Sequence, residues 1–156
     1  MFSKLVLVKP LKTSEEHLPM MAYSHPSLIN RLQEKRQISE IEAEELFDDT
    51  KRFLYLCAES SVPMSPPPAI DDCWHHFILF TRDYARFCTE FFGVFLHHRP
   101  RYLNDPPADG SHSTNSLVAA KRKFGKLSKN WDYPIEVTGN CDKCSNCERC
   151  SSTGDE

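Results

Sequence analysis

Glycine is scarce in this chain of 156 residues: there are five, against eleven prolines. Connections between elements are therefore expected to be stiff, because proline fixes its own backbone and glycine frees it. A strong excess of charge is also missing. Nineteen lysines and arginines face 22 aspartates and glutamates, a formal net charge of −3, which gives no general nucleic-acid signal. No apolar run approaches the length of a membrane span. Near the start only Leu5-Val6-Leu7-Val8 precedes Lys9-Pro10, too short for the core of an export signal. The expected setting is the cytoplasm, with no membrane contact. There the seven cysteines stay reduced, which favours thiol or metal chemistry over a disulfide framework.

Apolar residues make up 40% of the chain and include ten phenylalanines, enough for one core. Residues 1–24, with Pro10 and Pro19, read as an extended arm with room for one strand. Pro26 opens a helix over residues 26–36. Ser39 with Glu42 forms a capping box for the next helix, in which Ala43, Leu46, Phe47, Phe53, Leu54 and Cys57 recur at helical steps. Glu40, Glu42, Glu44 and Glu45 read as its solvated start rather than a docking face. Pro63 and Pro66 to Pro68 break that helix and form a rigid spacer. Helices are expected over residues 69–80 and 81–92, with Thr81 as N-cap and Gly93 as C-cap. Residues 100–113 read as a loop, and residues 115–127 as a last helix. Its Lys121, Arg122, Lys123 and Lys126 read as a solvated face rather than a phosphate contact. Residues 131–137 look extended and placed to close over the core. The sum is a mostly α single small helical domain over residues 1–138, with a short extended N-terminal arm and a flexible Cys-rich tail at residues 139–156.

Chemistry concentrates between residues 71 and 100, which hold four of the seven histidines. At about 100° per residue, Tyr84, Phe87, Cys88, Phe91, Phe92 and Phe95 share one face, so Cys88 is expected to point into the core. Asp71 precedes His75 by four residues, and Asp72 precedes His76 by four, so each pair shares a helix face. A carboxylate that holds one imidazole nitrogen fixes the tautomer and leaves the other for a metal or a proton. His75, Cys88 and His98 are the candidate ligands of one ion, with Asp71, His97 or water in the fourth position. Asp72, His76, Tyr84 and His97 are the supporting groups. Cys88 as a plain core residue stands close to even with that reading. A Cys88–His75 nucleophile pair oriented by Asp71 ranks lower, because a thiol at the centre of an apolar face keeps a high pKa.

In this stretch the chain resembles the glycine-rich domain-containing protein-like family. Its element is an acidic residue, Trp-His-x-His, Tyr-x-x-x-Cys, a glycine and a further histidine. Asp71, Trp74, His75, Leu79, Tyr84, Cys88, Gly93 and His98 fall in that register. Phe77 stands where the family has its second histidine, with His76 one position earlier, and no glycine-rich C-terminal region follows. The resemblance implies a helical fold rather than a particular reaction.

In the tail, Cys141, Cys144, Cys147 and Cys150 repeat every third residue among polar neighbours. Four thiols so spaced are a metal-ligand signal. Zinc ribbons separate their pairs further, and the ferredoxin run ends with a longer gap and a proline. A thiolate site for zinc or another soft metal therefore fits better than an iron–sulfur cluster. The leading reading is a cytoplasmic metal-binding protein, with zinc the foremost ion and no physiological role assigned. A protein-interaction module without intrinsic chemistry and a small metal- or Cys/His-dependent enzyme are the rivals. Reaction, substrate and oligomeric state are not legible.

Overall fold

The computed structural model describes residues 18–134. The first 17 residues and everything from residue 135, the cysteine tail included, lie outside the described residues. Within them the fold is helical and has no strand. Helices α1 (Leu18–Met21), α2 (Pro26–Arg36), α3 (Glu40–Glu59), α4 (Pro68–Ile78), α5 (Thr81–Phe92) and α6 (Ser111–Phe124) are followed by a 3-10 turn, Lys129–Trp131.

Helix α3 is the spine, with α1, α2, α4 and α6 packed around it. The capping box at its start is formed as expected: the Ser39 hydroxyl accepts from the Glu42 amide, and the Ser39 amide donates to the Glu42 carboxylate. Ala43, Leu46, Phe47, Phe53 and Leu54 are buried, each large one contributing roughly 1.5–3 kcal/mol of apolar transfer. Lys51 is 2% exposed, yet its ammonium is satisfied. It donates to the carbonyls of Met21 and Tyr23 at 2.8 and 2.9 Å and pairs with Asp48 at 2.9 Å. A cation there also suits the C-terminal end of α1.

Four local expectations need correcting. The described end of the N-terminal arm is not extended, because residues 18–21 form the single turn α1. The last helix starts at Ser111 rather than residue 115, since Asp109 accepts from the Ser111 amide at 2.9 Å and satisfies a first-turn donor. It stops at Phe124, where Gly125 takes a positive φ of 73°. The segment expected to run extended from residue 131 begins in a 3-10 turn, because Ser128 accepts from the Asn130 amide at 3.1 Å. Trp131 does close over the core, 2% exposed and packed on Phe53. At α5, Phe80 occupies the cap position and Thr81 is the first helical residue.

The proline spacer is docked on α6. The Ser116 hydroxyl donates to the Ser65 carbonyl at 2.7 Å, and Asn115 donates to the Pro63 carbonyl at 3.0 Å. Pro68 then opens α4 in a fixed register.

Candidate metal centre

Three segments meet at the exposed edge of α4. Trp74 is buried on the inner side of that helix, 6% exposed, and its indole N–H donates to the Tyr84 hydroxyl of α5 at 2.9 Å. Tyr84 in turn donates to the backbone carbonyl of Leu96 at 2.6 Å. Gly93 ends α5 with φ of 68°, a left-handed turn that glycine adopts without a Cβ clash. The chain then doubles back and the Trp74–Tyr84–Leu96 relay holds it. Two residues beyond the anchored carbonyl, His98 lies edge-on against Trp74, with ring centroids 4.5 Å apart.

That placement brings His98 to Asp71. Asp71 Oδ1 lies 2.9 Å from His98 Nε2, and Asp71 Oδ2 lies 3.5 Å from His75 Nδ1. The two imidazole centroids are 4.3 Å apart. One donor atom from each of Asp71, His75 and His98 lies within 4.8 Å of the others. Tetrahedral zinc, with bonds of about 2.0–2.1 Å, sets its donors about 3.3 Å apart. The donors thus lie within about 1.5 Å of the spacing a tetrahedral ion needs. The His75 side chain is 51% exposed and that of His98 14%, so the group is anchored on one side and open to water on the other.

The sequence brought Asp71, His75 and His98 forward, and the structure brings them together. The tighter contact of Asp71 is with His98, not with His75 one helical turn away. Cys88 is not among the grouped donors. It is fully buried on the core face of α5, away from Asp71, His75 and His98. His97 is exposed and lies against Phe95, with ring centroids 4.7 Å apart. Phe77, which takes the position of a histidine in the Trp-His-x-His pattern, is fully buried among Phe47, Tyr84 and Phe87. Two residues are about 200° around a helix, so position 77 faces away from His75.

The second Asp–His pair has other partners. Asp72 binds Arg36 of α2 at 2.7 Å and lies 3.9 Å from His76 Nε2. Arg31 Nε donates to His76 Nδ1 at 3.1 Å. Burial lowers the His76 pKa from its ordinary value; Asp72 opposes the shift, while Arg31, Lys35 and Arg36 add to it. These arginines were not singled out in the sequence, where nothing marks the face of α2 that docks on α4. The Leu96 carbonyl was also invisible, because a backbone group has no signature in side-chain spacing.

Burial pushes the thiols of Cys57 and Cys73 up to about 12, so neither is a thiolate nucleophile at neutral pH. The four tail cysteines lie outside the described residues.

The family model described as UCP032817-like matches residues 14–120, more than half of the chain. The match spans Asp71, His75 and His98. It corrects the resemblance drawn from the run between Asp71 and His98: the family found is this one and not the glycine-rich domain-containing protein-like family. No curated protein and no solved structure matches the chain.

Proposed function

The chain belongs to the UCP032817-like family, and we propose that it binds a divalent transition metal, zinc foremost, through Asp71, His75 and His98. What carries the reading is one carboxylate and two imidazoles, drawn from a helix and a returning loop, with donor atoms within 4.8 Å. Imidazole and carboxylate suit zinc, and two histidines with one acidic residue recur in reactive zinc sites. Three protein ligands beside an exposed imidazole leave a position for water, which favours a small metal-dependent enzyme as the second reading. Iron(II) uses the same donor set and is a competing ion in the test below. The spacing of Cys141, Cys144, Cys147 and Cys150 supports a separate thiolate site for a soft metal. Reduced thiols of this kind suit a cytoplasmic setting.

The test is metal content and titration of the full chain with the four tail cysteines changed to serine. One zinc per chain, lost in His75→Ala and His98→Ala, is the expected result. A chain that binds no zinc, or one whose zinc survives both substitutions, overturns the assignment.

A further inference from the structure

On another part of the molecule, we propose that the cavity between α3 and the C-terminal end of α6 binds a small phosphate monoester. The cavity has a volume of about 310 Å³ and is lined by Asp49, Arg52, Lys123, Phe124, Lys126 and Leu127. Three cations thus face one carboxylate, and that carboxylate is already engaged. Asp49, 1% exposed, accepts from Arg52 Nη1 at 2.9 Å, the Ser128 hydroxyl at 2.6 Å and Asn130 Nδ2 at 3.0 Å. With Arg52 balancing Asp49, Lys123 and Lys126 leave a surplus of two positive charges. Lys123 is held by a neutral partner, its Nζ 3.3 Å from the Tyr55 hydroxyl and 5.0 Å from that ring. Lys126 has no ion-pair partner among the described residues.

Cations in the last turn of a helix are favoured by its dipole without any ligand, which accounts for Lys121, Arg122 and Lys123. It does not account for the cavity. Arg52 comes from α3, and Lys126 lies beyond Gly125, where α6 has ended.

The ligand chemistry follows from the walls. A surplus of two charges matches a dianion, and arginine beside lysine is a phosphate-binding pair. Phe124, whose ring lies 5.9 Å from the Arg52 guanidinium, and Leu127 give an organic group an apolar surface. The volume falls at the small end of small-molecule sites, too large for phosphate alone.

The probes are phenyl phosphate and inorganic phosphate, titrated into the full chain at constant ionic strength and followed by amide NMR. Saturable shifts around Lys123 to Leu127 are expected, with phenyl phosphate the tighter of the two. Lys126→Glu should weaken phenyl phosphate by about tenfold or more at an unchanged unfolding midpoint. Lys121→Glu, on α6 but outside the cavity, should change it less than about twofold. Equal effects of the two substitutions, or no preference for the ester over inorganic phosphate, overturn the proposal. So does retention on vesicles of phosphatidylcholine and phosphatidic acid without phenyl phosphate binding, which makes the patch a membrane-surface contact.

Discussion

On α4, Asp72 and His76 repeat one residue later the spacing of Asp71 and His75, yet the two pairs have different fates. A step of one residue turns the helix by about 100°. That turn moves Asp72 and His76 onto Arg36 and Arg31 of α2 at 2.7 and 3.1 Å. It leaves Asp71 and His75 on the edge where His98 arrives, with Asp71 at 2.9 Å from His98. One pair is closed by cations and ties two helices together. The other is completed by a third donor and faces water. The local sequence is nearly the same, so the partner delivered by the rest of the fold decides whether an Asp–His pair is a clamp between helices or part of an open donor cluster.

The largest effect is expected at the part of the fold that delivers His98. Trp74→Ala should destabilise the fold by roughly 3–5 kcal/mol, the range for a large aromatic cavity, read by denaturant unfolding. It should also release the segment after Gly93, seen as faster amide exchange at residues 94–98. An unchanged midpoint would show that Trp74 does not organise the turn-back.

Next in size is the contrast in zinc affinity. His98→Ala should weaken binding by more than about 100-fold, since even outer partners of a metal site are worth roughly 10–100-fold. His76→Ala should leave it within about twofold, because its imidazole is engaged by Arg31. Similar losses in both variants would merge the two pairs into one site.

A smaller effect separates delivery from ligation. Tyr84→Phe keeps the ring but leaves the buried Trp74 N–H and the Leu96 carbonyl unpaired, at a cost of about 1–3 kcal/mol. Zinc affinity should fall with it although Tyr84 is no ligand. Full affinity in a destabilised variant would show that the loop finds Asp71 unaided.

The smallest effects belong to the clamp. Asp72→Asn should cost no more than about 1 kcal/mol, because the Asp72–Arg36 pair is half-exposed. The pH dependence has a definite sign. The folded protein holds His76 below its ordinary value of 6.5, chiefly by burial. As pH falls the unfolded chain takes up that proton first. The contribution is therefore fully present above about pH 6.5 and lost as pH falls below it. Urea titrations between pH 5 and 7.5 should show this slope flattened in His76→Gln.

The sequence was most legible where local chemistry decides. Pro26, the Ser39–Glu42 box and Gly93 mark real helix ends, because capping needs only neighbours along the chain. It misled where a side chain reaches forward to the amide two residues on, as Asp109 and Ser128 do, since such turns compete with the apolar period. At the site, a spacing of four placed Asp71 beside His75, and the third donor was nameable as His98. That Asp71 binds His98 more closely than His75 depends on the relay from Trp74 through Tyr84 to a backbone carbonyl. Only the folded chain contains that relay. Cys88 illustrates the opposite case: the apolar face that singled it out is also what buries it.

Zinc X-ray absorption on the chain with its tail cysteines changed to serine tests the central claim most directly. The expected first shell holds nitrogen and oxygen alone, near 2.0–2.1 Å, with the outer scattering of two imidazoles. Sulfur at about 2.3 Å would bring Cys88 or another core thiol into the ligand set and contradict the Asp71–His75–His98 site.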